Sequence, residues 1–273
     1  MELIDEFQAA RPRLLSLAHR ILGSRQDAED AVQTVWTRAH TVDPAALDNP
    51  GAWFTTVTAR LCVDQLRARV RRPEIPLLGQ DFQSEELAAE EAFLRREEVS
   101  RALLVLLDAL PPRQRVAYVL HDLFAVPFDR VAEVLEIRTD AAKKLASRAR
   151  AALRAGHPEP GTPAASQLRV VDAFLAAARG GDLAQLVTLL APDAVRLADP
   201  RLLPPGAPTE VRGAEAIATE TRAFAARIAL ATPLLLAGRP GAVIAPGGRP
   251  YALIRLHLDP GGLVARIEIT PAR

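Results

Sequence analysis

Hydrophobic residues recur at spacings of three and four through the first part of the chain, which is the period of amphipathic helices. One helix is predicted from Leu3 to Leu22, with Pro12 as a kink or a restart inside it. Gly23 followed by Ser24 ends that helix and caps the next, whose apolar face lies between Asp27 and Ala39. A third helix is predicted from Pro50 to Arg72, because proline is favoured at the first helical position.

The helical period returns in a second part, which is bounded on both sides by proline-containing segments. Residues 73–94 are also acidic and predict a linker, and residues 156–165 predict a second, semi-rigid linker. Between them the predicted helices are Glu97 to Leu110, Pro112 to Phe124, Phe128 to Leu135 and Thr139 to Arg154.

From residue 166 onwards the pattern changes to two helices followed by short runs that predict strands, separated by turns rich in glycine and proline. The helices are predicted over Leu168 to Arg179 and Leu183 to Leu190. The strands are predicted over Ala194 to Leu197, Leu234 to Ala237, Ala242 to Ala245, Tyr251 to Leu258 and Leu263 to Ile269. Residues 166–273 are therefore predicted to form a small α+β domain.

Composition narrows the class of protein. Apolar residues make up 49% and charged residues 25% of the chain, which excludes wholesale disorder. The chain contains 34 Lys and Arg residues and 33 Asp and Glu residues, so a surface that is basic along the whole length is excluded, but local basic patches are not. Cys62 has no partner for an internal disulfide, and no motif for a metal, a phosphate loop or a cofactor is present. The acidic N-terminus and the shortness of the apolar runs predict a cytoplasmic protein without a membrane helix.

Two basic helices indicate nucleic-acid binding. Phe128 to Leu135, a short break and Thr139 to Arg154 have the layout of a helix-turn-helix, whose second helix enters the major groove. That helix carries five cations, Lys143, Lys144, Arg148, Arg150 and Arg154. The other basic helix ends in Arg60, Arg67, Arg69, Arg71 and Arg72, with Trp53 and Phe54 near its start. Arginines beside aromatic rings suit melted nucleic acid, although Trp53 is more simply interpreted as a core residue.

The order of these segments and their amino-acid sequences resemble those of the group IV, or extracytoplasmic-function, sigma factors of the sigma-70 family. The matching segments are Arg11 to Gly23, Asp27 to Ala39, Asn49 to Arg72, Leu110 to Asp122, Phe128 to Leu135 and Ala146 to Arg150. The last segment of the chain is similar to the SnoaL-like, NTF2-like cone domain found behind the helix-turn-helix in one subgroup.

The resemblance implies two all-α sigma domains, at 1–72 and 95–155, followed by an α+β cone domain at 166–273. It implies core RNA polymerase and promoter DNA as partners, with an unidentified small ligand of the last domain as a further candidate. The implied polymerase-binding residues are Asp30, Gln33 and Trp36. The implied DNA-binding residues are Arg60, Asp64 and Arg67 for the −10 element, and Asp140, Lys143, Lys144 and Arg148 for the −35 element.

Two segments depart from the subgroup, which predicts altered or lost regulation. Pro73 to Leu78 reads PEIPLL in the inter-domain linker, and Asp199 is followed by PRLLPPGAP.

Two alternatives to a sigma factor remain at this point. One is a helix-turn-helix regulator that does not engage polymerase. The other is an enzyme or small-molecule binder that uses the cone domain, with His257 and one of Asp193, Asp199 or Glu268 as the acid-base pair. A lone histidine in a strand is more often structural, so we expect no catalytic residue.

Overall fold

A computed structural model describes residues 3–43, 47–71, 85–96, 101–155, 161–236 and 238–272. Arg72, the PEIPLL segment and residues 156–160 of the second linker lie outside the described residues. The chain divides into two compact units. The first contains residues 1–75, 92–99 and 106–153, and the second contains residues 76–91, 100–105 and 154–273.

The helices that precede the second linker are α1 (Leu3–Leu22), α2 (Arg25–Ala39), α3 (Pro50–Arg71), α4 (Glu85–Arg96), α5 (Arg101–Asp108), α6 (Pro112–Tyr118), α7 (Phe128–Leu135) and α8 (Thr139–Ala155). A single π-helical turn, Val119–Leu123, follows α6.

Helix α1 runs through Pro12 without the predicted restart. Pro12 removes one hydrogen bond on the exposed side of the helix, whereas Leu14 and Leu17 on the opposite side are buried. Burial of the apolar stripe on both sides of the proline therefore keeps the helix continuous.

Aromatic and apolar side chains of α1, α2 and α3 form the core of the first three helices. The Phe7 ring lies 4.9 Å from Trp36 and 5.4 Å from Phe54, measured between ring centroids. At the other end, the Arg69 guanidinium pairs with the Asp27 carboxylate and donates to the Leu22 carbonyl oxygen at 2.7 Å. Arg69, one of the arginines of the predicted basic helix, thus ties α3 to α1 and α2.

A buried arginine joins α6 to the rest of the first unit. Arg115 donates to the Ile21 carbonyl oxygen at 3.1 Å, to the Asp108 carbonyl oxygen at 2.7 Å and to Asp108 Oδ1 at 3.0 Å. Burial lowers the pKa of Arg115, and the neighbouring Asp108 carboxylate opposes that shift.

The acidic linker predicted at 73–94 contains a helix, because α4 occupies Glu85–Arg96. Its sequence, EELAAEEAFLRR, consists almost entirely of strong helix formers. The negative charges that indicated an acidic linker are compatible with an amphipathic helix, since Leu87, Phe93 and Leu94 are buried.

The second unit contains helices α9 (Pro163–Gly180), α10 (Leu183–Leu189), α11 (Ala214–Thr221) and α12 (Ala225–Ala229). Its strands are β1 (Leu190–Ala198), β2 (Glu210–Arg212), β3 (Ala231–Leu236), β4 (Arg239–Ile244), β5 (Ala252–Leu258) and β6 (Val264–Pro271). Within the described residues these form a six-stranded sheet in the order β2-β1-β6-β5-β4-β3, parallel only between β1 and β6. The predicted succession of two helical parts and an α+β part is confirmed.

The sheet has two apolar faces with different partners. Alternate strand residues such as Ile244, Ile254 and Ile267 pack on the inner face against helices, including Phe174 of α9. On the outer face, Leu234 and Val243 pack with Ala245 and with Val105 of α5. Strands β3 to β5 are therefore covered on both sides.

No helix among the described residues is long and apolar enough to cross a membrane.

We predict that Cys62 resists alkylation in the folded chain. The thiol is fully buried in α3, and this burial raises its pKa, so the reactive thiolate is scarce at pH 8. Iodoacetamide should leave the native chain unmodified, as read by intact mass, under conditions that fully modify the chain in urea. Because the chain has one cysteine, rapid stoichiometric modification of the native protein would show that α3 is not packed as described.

Candidate nucleic-acid interface

Helices α7 and α8 form the predicted helix-turn-helix. The turn depends on Glu136, which adopts the left-handed conformation with φ 55° and ends α7. The Ile137 amide then donates back to the Ala132 carbonyl oxygen at 3.0 Å, and the Ala142 amide donates to the Arg138 carbonyl oxygen at 3.1 Å. Thr139, predicted as a cap, is the first helical residue of α8.

Helix α8 separates a face of small residues from a face of charged residues. Ala142, Ala146 and Ala149 are completely buried and form the small-residue face. The predicted −35 residues Asp140, Lys143, Lys144 and Arg148 are all exposed. The structure therefore presents the predicted contacts on the surface of the second helix of the motif.

Arg150 differs from the other cations of α8. Its Nε lies 3.1 Å from Asp122 Oδ1, at the end of the π-helical turn. This ion pair makes Arg150 a structural link between the motif and the preceding helix, and the sequence pattern could not distinguish it from Arg148.

The predicted −10 residues Arg60, Asp64 and Arg67 form an exposed row on α3, because they are spaced by four and three residues. Arg67 lies 3.5 Å from Asp64. Arg60 donates to the Glu133 carbonyl oxygen of α7 at 3.4 Å, so the row and the helix-turn-helix meet within the first unit. Contact of Arg60 with DNA would require this hydrogen bond to be exchanged for one to DNA.

The two aromatic residues at the start of α3 have different environments. Phe54 is completely buried, whereas Trp53 is half-buried with its ring 5.5 Å from Phe54. The core residue of the pair is thus Phe54, and the interpretation of Trp53 as a core residue holds only in part.

Helix α2 presents the predicted polymerase-binding residues. Asp30 and Gln33 are exposed one turn apart on its surface. Trp36 is half-buried, and its ring contacts Phe7 on one side and His40, at 4.2 Å, on the other. Trp36 therefore belongs partly to the core, and the freely accessible part of the predicted surface is the Asp30–Gln33 pair.

His257 and Glu268 of the C-terminal domain come together, with Nε2 3.4 Å from Oε2. They lie on the outer face of the sheet, since Leu256 and Ile267 beside them belong to the inner core. Asp199 is half-buried, and its carboxylate accepts hydrogen bonds from the Arg201 side chain, which lower the pKa of the carboxyl to about 2. Among the described residues, no group of three or more His, Cys, Asp and Glu side chains is placed to hold a metal.

The glycine turn between β4 and β5 was predicted as a turn, but sequence reasoning missed that the linker segments of the second unit are held there. The Gly247 amide donates to Glu91 Oε1 at 3.0 Å, and Arg101 pairs with the same carboxylate at 2.5 Å. Gly247 and Gly248 both have positive φ, and a Cβ on Gly248 would collide with Leu104. The only signal in the sequence was the Gly-Gly pair, which equally fits an ordinary turn.

Two family models match the chain, Sigma-70 region 2 at residues 7–72 and Sigma-70, region 4 at residues 100–153. The chain is also 41% identical over 229 residues to the ECF RNA polymerase sigma factor SigJ of Mycobacterium tuberculosis. That alignment covers 78% of this chain and 70% of SigJ. This chain belongs to the ECF RNA polymerase sigma factors. It is accordingly a subunit that directs transcription initiation, and its family partners are core RNA polymerase and promoter DNA. A helix-turn-helix regulator that acts without polymerase is thereby set aside.

Two solved structures were also similar to this sigma factor. The crystal structure of Mycobacterium tuberculosis SigJ aligns with a TM-score of 0.45 and 33% identity, and covers 98% of this chain and 96% of that chain. A SnoaL-like protein of unknown function from Burkholderia thailandensis aligns with a TM-score of 0.33 and 20% identity, and covers 42% of this chain and 100% of that protein.

Proposed function

We propose that this sigma factor contacts core polymerase through Asp30 and Gln33 of α2, flanked by Trp36. The proposal is supported by their exposure beside a fully packed face of the same helix, where Val32 and Val35 are buried. Side chains without a role in folding are available for an intermolecular contact.

Promoter contacts are assigned to the two exposed rows described above. Lys143, Lys144 and Arg148 would hold phosphates or base edges of the −35 element, with Asp140 at the helix start. Arg60, Asp64 and Arg67 would contact the −10 element. The observation that carries this assignment is that the buried residues of α8 are alanines, so Lys143, Lys144 and Arg148 are exposed and have no part in its packing.

The C-terminal domain is proposed to regulate the sigma core in cis, by holding the segments that connect the two sigma regions. Residues 85–91 lie between regions 2 and 4, and residues 101–105 lie at the start of region 4. Both segments pack with this domain in the second unit. Val105 joins the outer-face cluster, and the Gly247 amide binds Glu91. A domain that fixes this connection influences the spacing at which the two DNA-binding regions meet a promoter.

A catalytic role of the same domain has less support. The one histidine–carboxylate pair that the resemblance suggested, His257 with Glu268, lies on the outer face of the sheet and not among the residues that line the inner cavity. Acid-base catalysis needs both groups within reach of an enclosed substrate.

Replacing Asp30 and Gln33 together by Ala should weaken binding to core polymerase, because both side chains are exposed and carry no packing. Binding is measured by titrating labelled protein with core enzyme. The control is the double replacement of Asp5 and Gln8, an exposed pair with the same spacing on α1. Equal affinity of the two double variants would mean that the α2 surface is wrongly assigned.

Lys143→Ala and Arg148→Ala should each weaken promoter binding by the holoenzyme and lower the slope of log K against log salt by about one unit per lost phosphate contact. Arg222→Ala, an exposed arginine of the C-terminal domain, is the matched control and should leave the slope unchanged. A loss of affinity with an unchanged slope would contradict phosphate contact at the position tested.

Gly248→Ala should release the linker segments from the C-terminal domain, because the added Cβ collides with Leu104. The control is Gly262→Ala, which has the same kind of backbone strain, with φ +86°, and no atom within 4 Å of the added Cβ. Hydrogen exchange at residues 101–105 should rise in Gly248→Ala only, and promoter activity of the holoenzyme should change severalfold. If exchange rises but both variants transcribe like the unaltered chain, regulation through the linker is refuted.

A further inference from the structure

The lysines of this sequence occur at one place. Of the 34 Lys and Arg residues, two are lysines, Lys143 and Lys144, and the other 32 are arginines. Both lysines lie on α8, in the row assigned to the −35 element. Arginine binds phosphate with two parallel N–H donors, whereas lysine binds it as a point charge. Phosphate binding therefore does not by itself account for lysine at these two positions.

Lysine and arginine differ in their chemistry towards acyl groups. The lysine amine becomes a nucleophile when it loses its proton, and it is a target of acetylation. An arginine guanidinium stays protonated in proteins and does not react in this way. Lys143 and Lys144 are therefore the side-chain amines of this sequence that an acyl donor can modify.

Both lysine side chains are accessible to a reagent. Lys143 and Lys144 are exposed, and within the part of the chain that the structure describes neither forms an ion pair. The acidic residue of α8, Asp140, lies 3.9 Å from Arg138. Arg150 of the same helix is held by Asp122, so the two lysines differ from it in having no partner within the fold.

Arg148 lies where it can bind the leaving group of an anionic acyl donor. It follows Lys144 by four residues on α8, so the two exposed side chains are neighbours on one side of the helix. The negative charge of an acyl phosphate lies on its phosphate, which a guanidinium binds through two N–H groups. A donor bound in this way has its carbonyl carbon close to the lysine, and such proximity raises the rate of an attack.

We propose that Lys143 and Lys144 are an acylation site on the −35 helix, and that acyl phosphates modify Lys144 first. The ammonium releases one proton to solvent, and Nζ attacks the carbonyl carbon of the donor. A C–N bond forms and the C–O bond to phosphate breaks. The phosphate leaves with the bonding electron pair and takes up the second proton, so the product is a neutral amide. The effect of this modification on promoter binding, unlike the modification itself, rests on the proposed function.

Acylation changes the charge of α8 without changing its packing. The fully buried residues of the helix are Ala142, Ala146 and Ala149, and neither lysine is among them. Loss of the Lys144 charge also relieves the like-charge repulsion with Arg148. Each neutralised lysine removes one phosphate contact, which at about 0.15 M salt corresponds to about a fivefold loss of promoter affinity.

The modification is tested by treating the full-length chain with acetyl phosphate in the presence of Nα-acetyllysine methylamide as an internal reference. Peptide mass spectrometry should show Lys144 acetylated severalfold faster than the reference amine. Arg148→Gln should abolish this excess, whereas Arg38→Gln, the same change at an exposed position of α2, should retain it. Phenyl acetate, a neutral donor, should react equally with the unaltered chain and with Arg148→Gln. Equal rates for Lys144 and the reference amine, or an excess that survives Arg148→Gln, would overturn the proposed site.

The effect on promoter binding is tested by comparing each chain before and after acetylation, reconstituted with untreated core polymerase. With both lysines acetylated, affinity at about 0.15 M salt should fall about 25-fold and the salt slope by about two units. The control is the double variant Lys143→Arg with Lys144→Arg, which has no acylatable side chain, so treatment should leave its affinity at its own untreated value. An equal loss in this variant would show that another amine is responsible and would overturn the switch.

The two parts of the proposal fail separately. Selective acetylation of Lys144 without any change in promoter affinity would support the site and overturn its effect on transcription. In that case Lys143→Ala should also leave the salt slope unchanged, which would overturn the −35 assignment itself.

Discussion

Arg115 is the residue on which the organisation of the first unit depends. Its guanidinium is buried, yet it donates to a carbonyl at the end of α1 and to both the backbone and the side chain of Asp108 at the end of α5. Hydrogen bonds of this kind stabilise a buried cation, and removal of Arg115 would leave acceptor oxygens on two other helices without this donor. The residue therefore ties α6, which precedes the helix-turn-helix along the chain, to the ends of α1 and α5.

The second unit depends on a different constraint, the use of both sheet faces. A sheet packed on its inner face alone could be appended to the sigma core without affecting it. Here Val105 packs on the outer face of β3 and β4, and the turn after β4 donates a hydrogen bond to Glu91. Because strand residues alternate between faces, neighbouring residues of one strand serve the inner core and the linker contact. Packing changes on one face of the sheet therefore alter the packing on the other face.

Much of this architecture follows from sequence patterns, and the failures have physical causes. Strong helical periods predicted α1, α7 and α8 well, and turn residues predicted β5 and β6. Strand β2 was missed because Glu210–Arg212 is too short to show a period, and α11 was missed because alanine and threonine give its exposed and buried faces little contrast. The effect of Pro12 on α1 was overestimated, because the proline removes a hydrogen bond only locally, whereas the apolar stripe of the helix is continuous.

For the candidate site residues, the sequence likewise predicted some features and missed others. Exposure of Asp30, Gln33, Lys143 and Arg148 agrees with their positions on the helical period. The pairing of Arg69 with Asp27, and of Arg150 with Asp122, was not predictable, because each joins residues far apart in the sequence. Within one basic run, some side chains are thus exposed and others form intramolecular ion pairs. Only the fold shows which arginines form the ion pairs.

The alanine face of α8 has a consequence for the evolution of this protein. Ala142, Ala146 and Ala149 do all the fully buried packing of that helix and can be kept while the outward residues are exchanged. Mutations at Lys143, Lys144 or Arg148 therefore change no core volume and cost little folding free energy. A duplicated gene could acquire a new promoter preference through such exchanges, one residue at a time, without passing through an unstable intermediate.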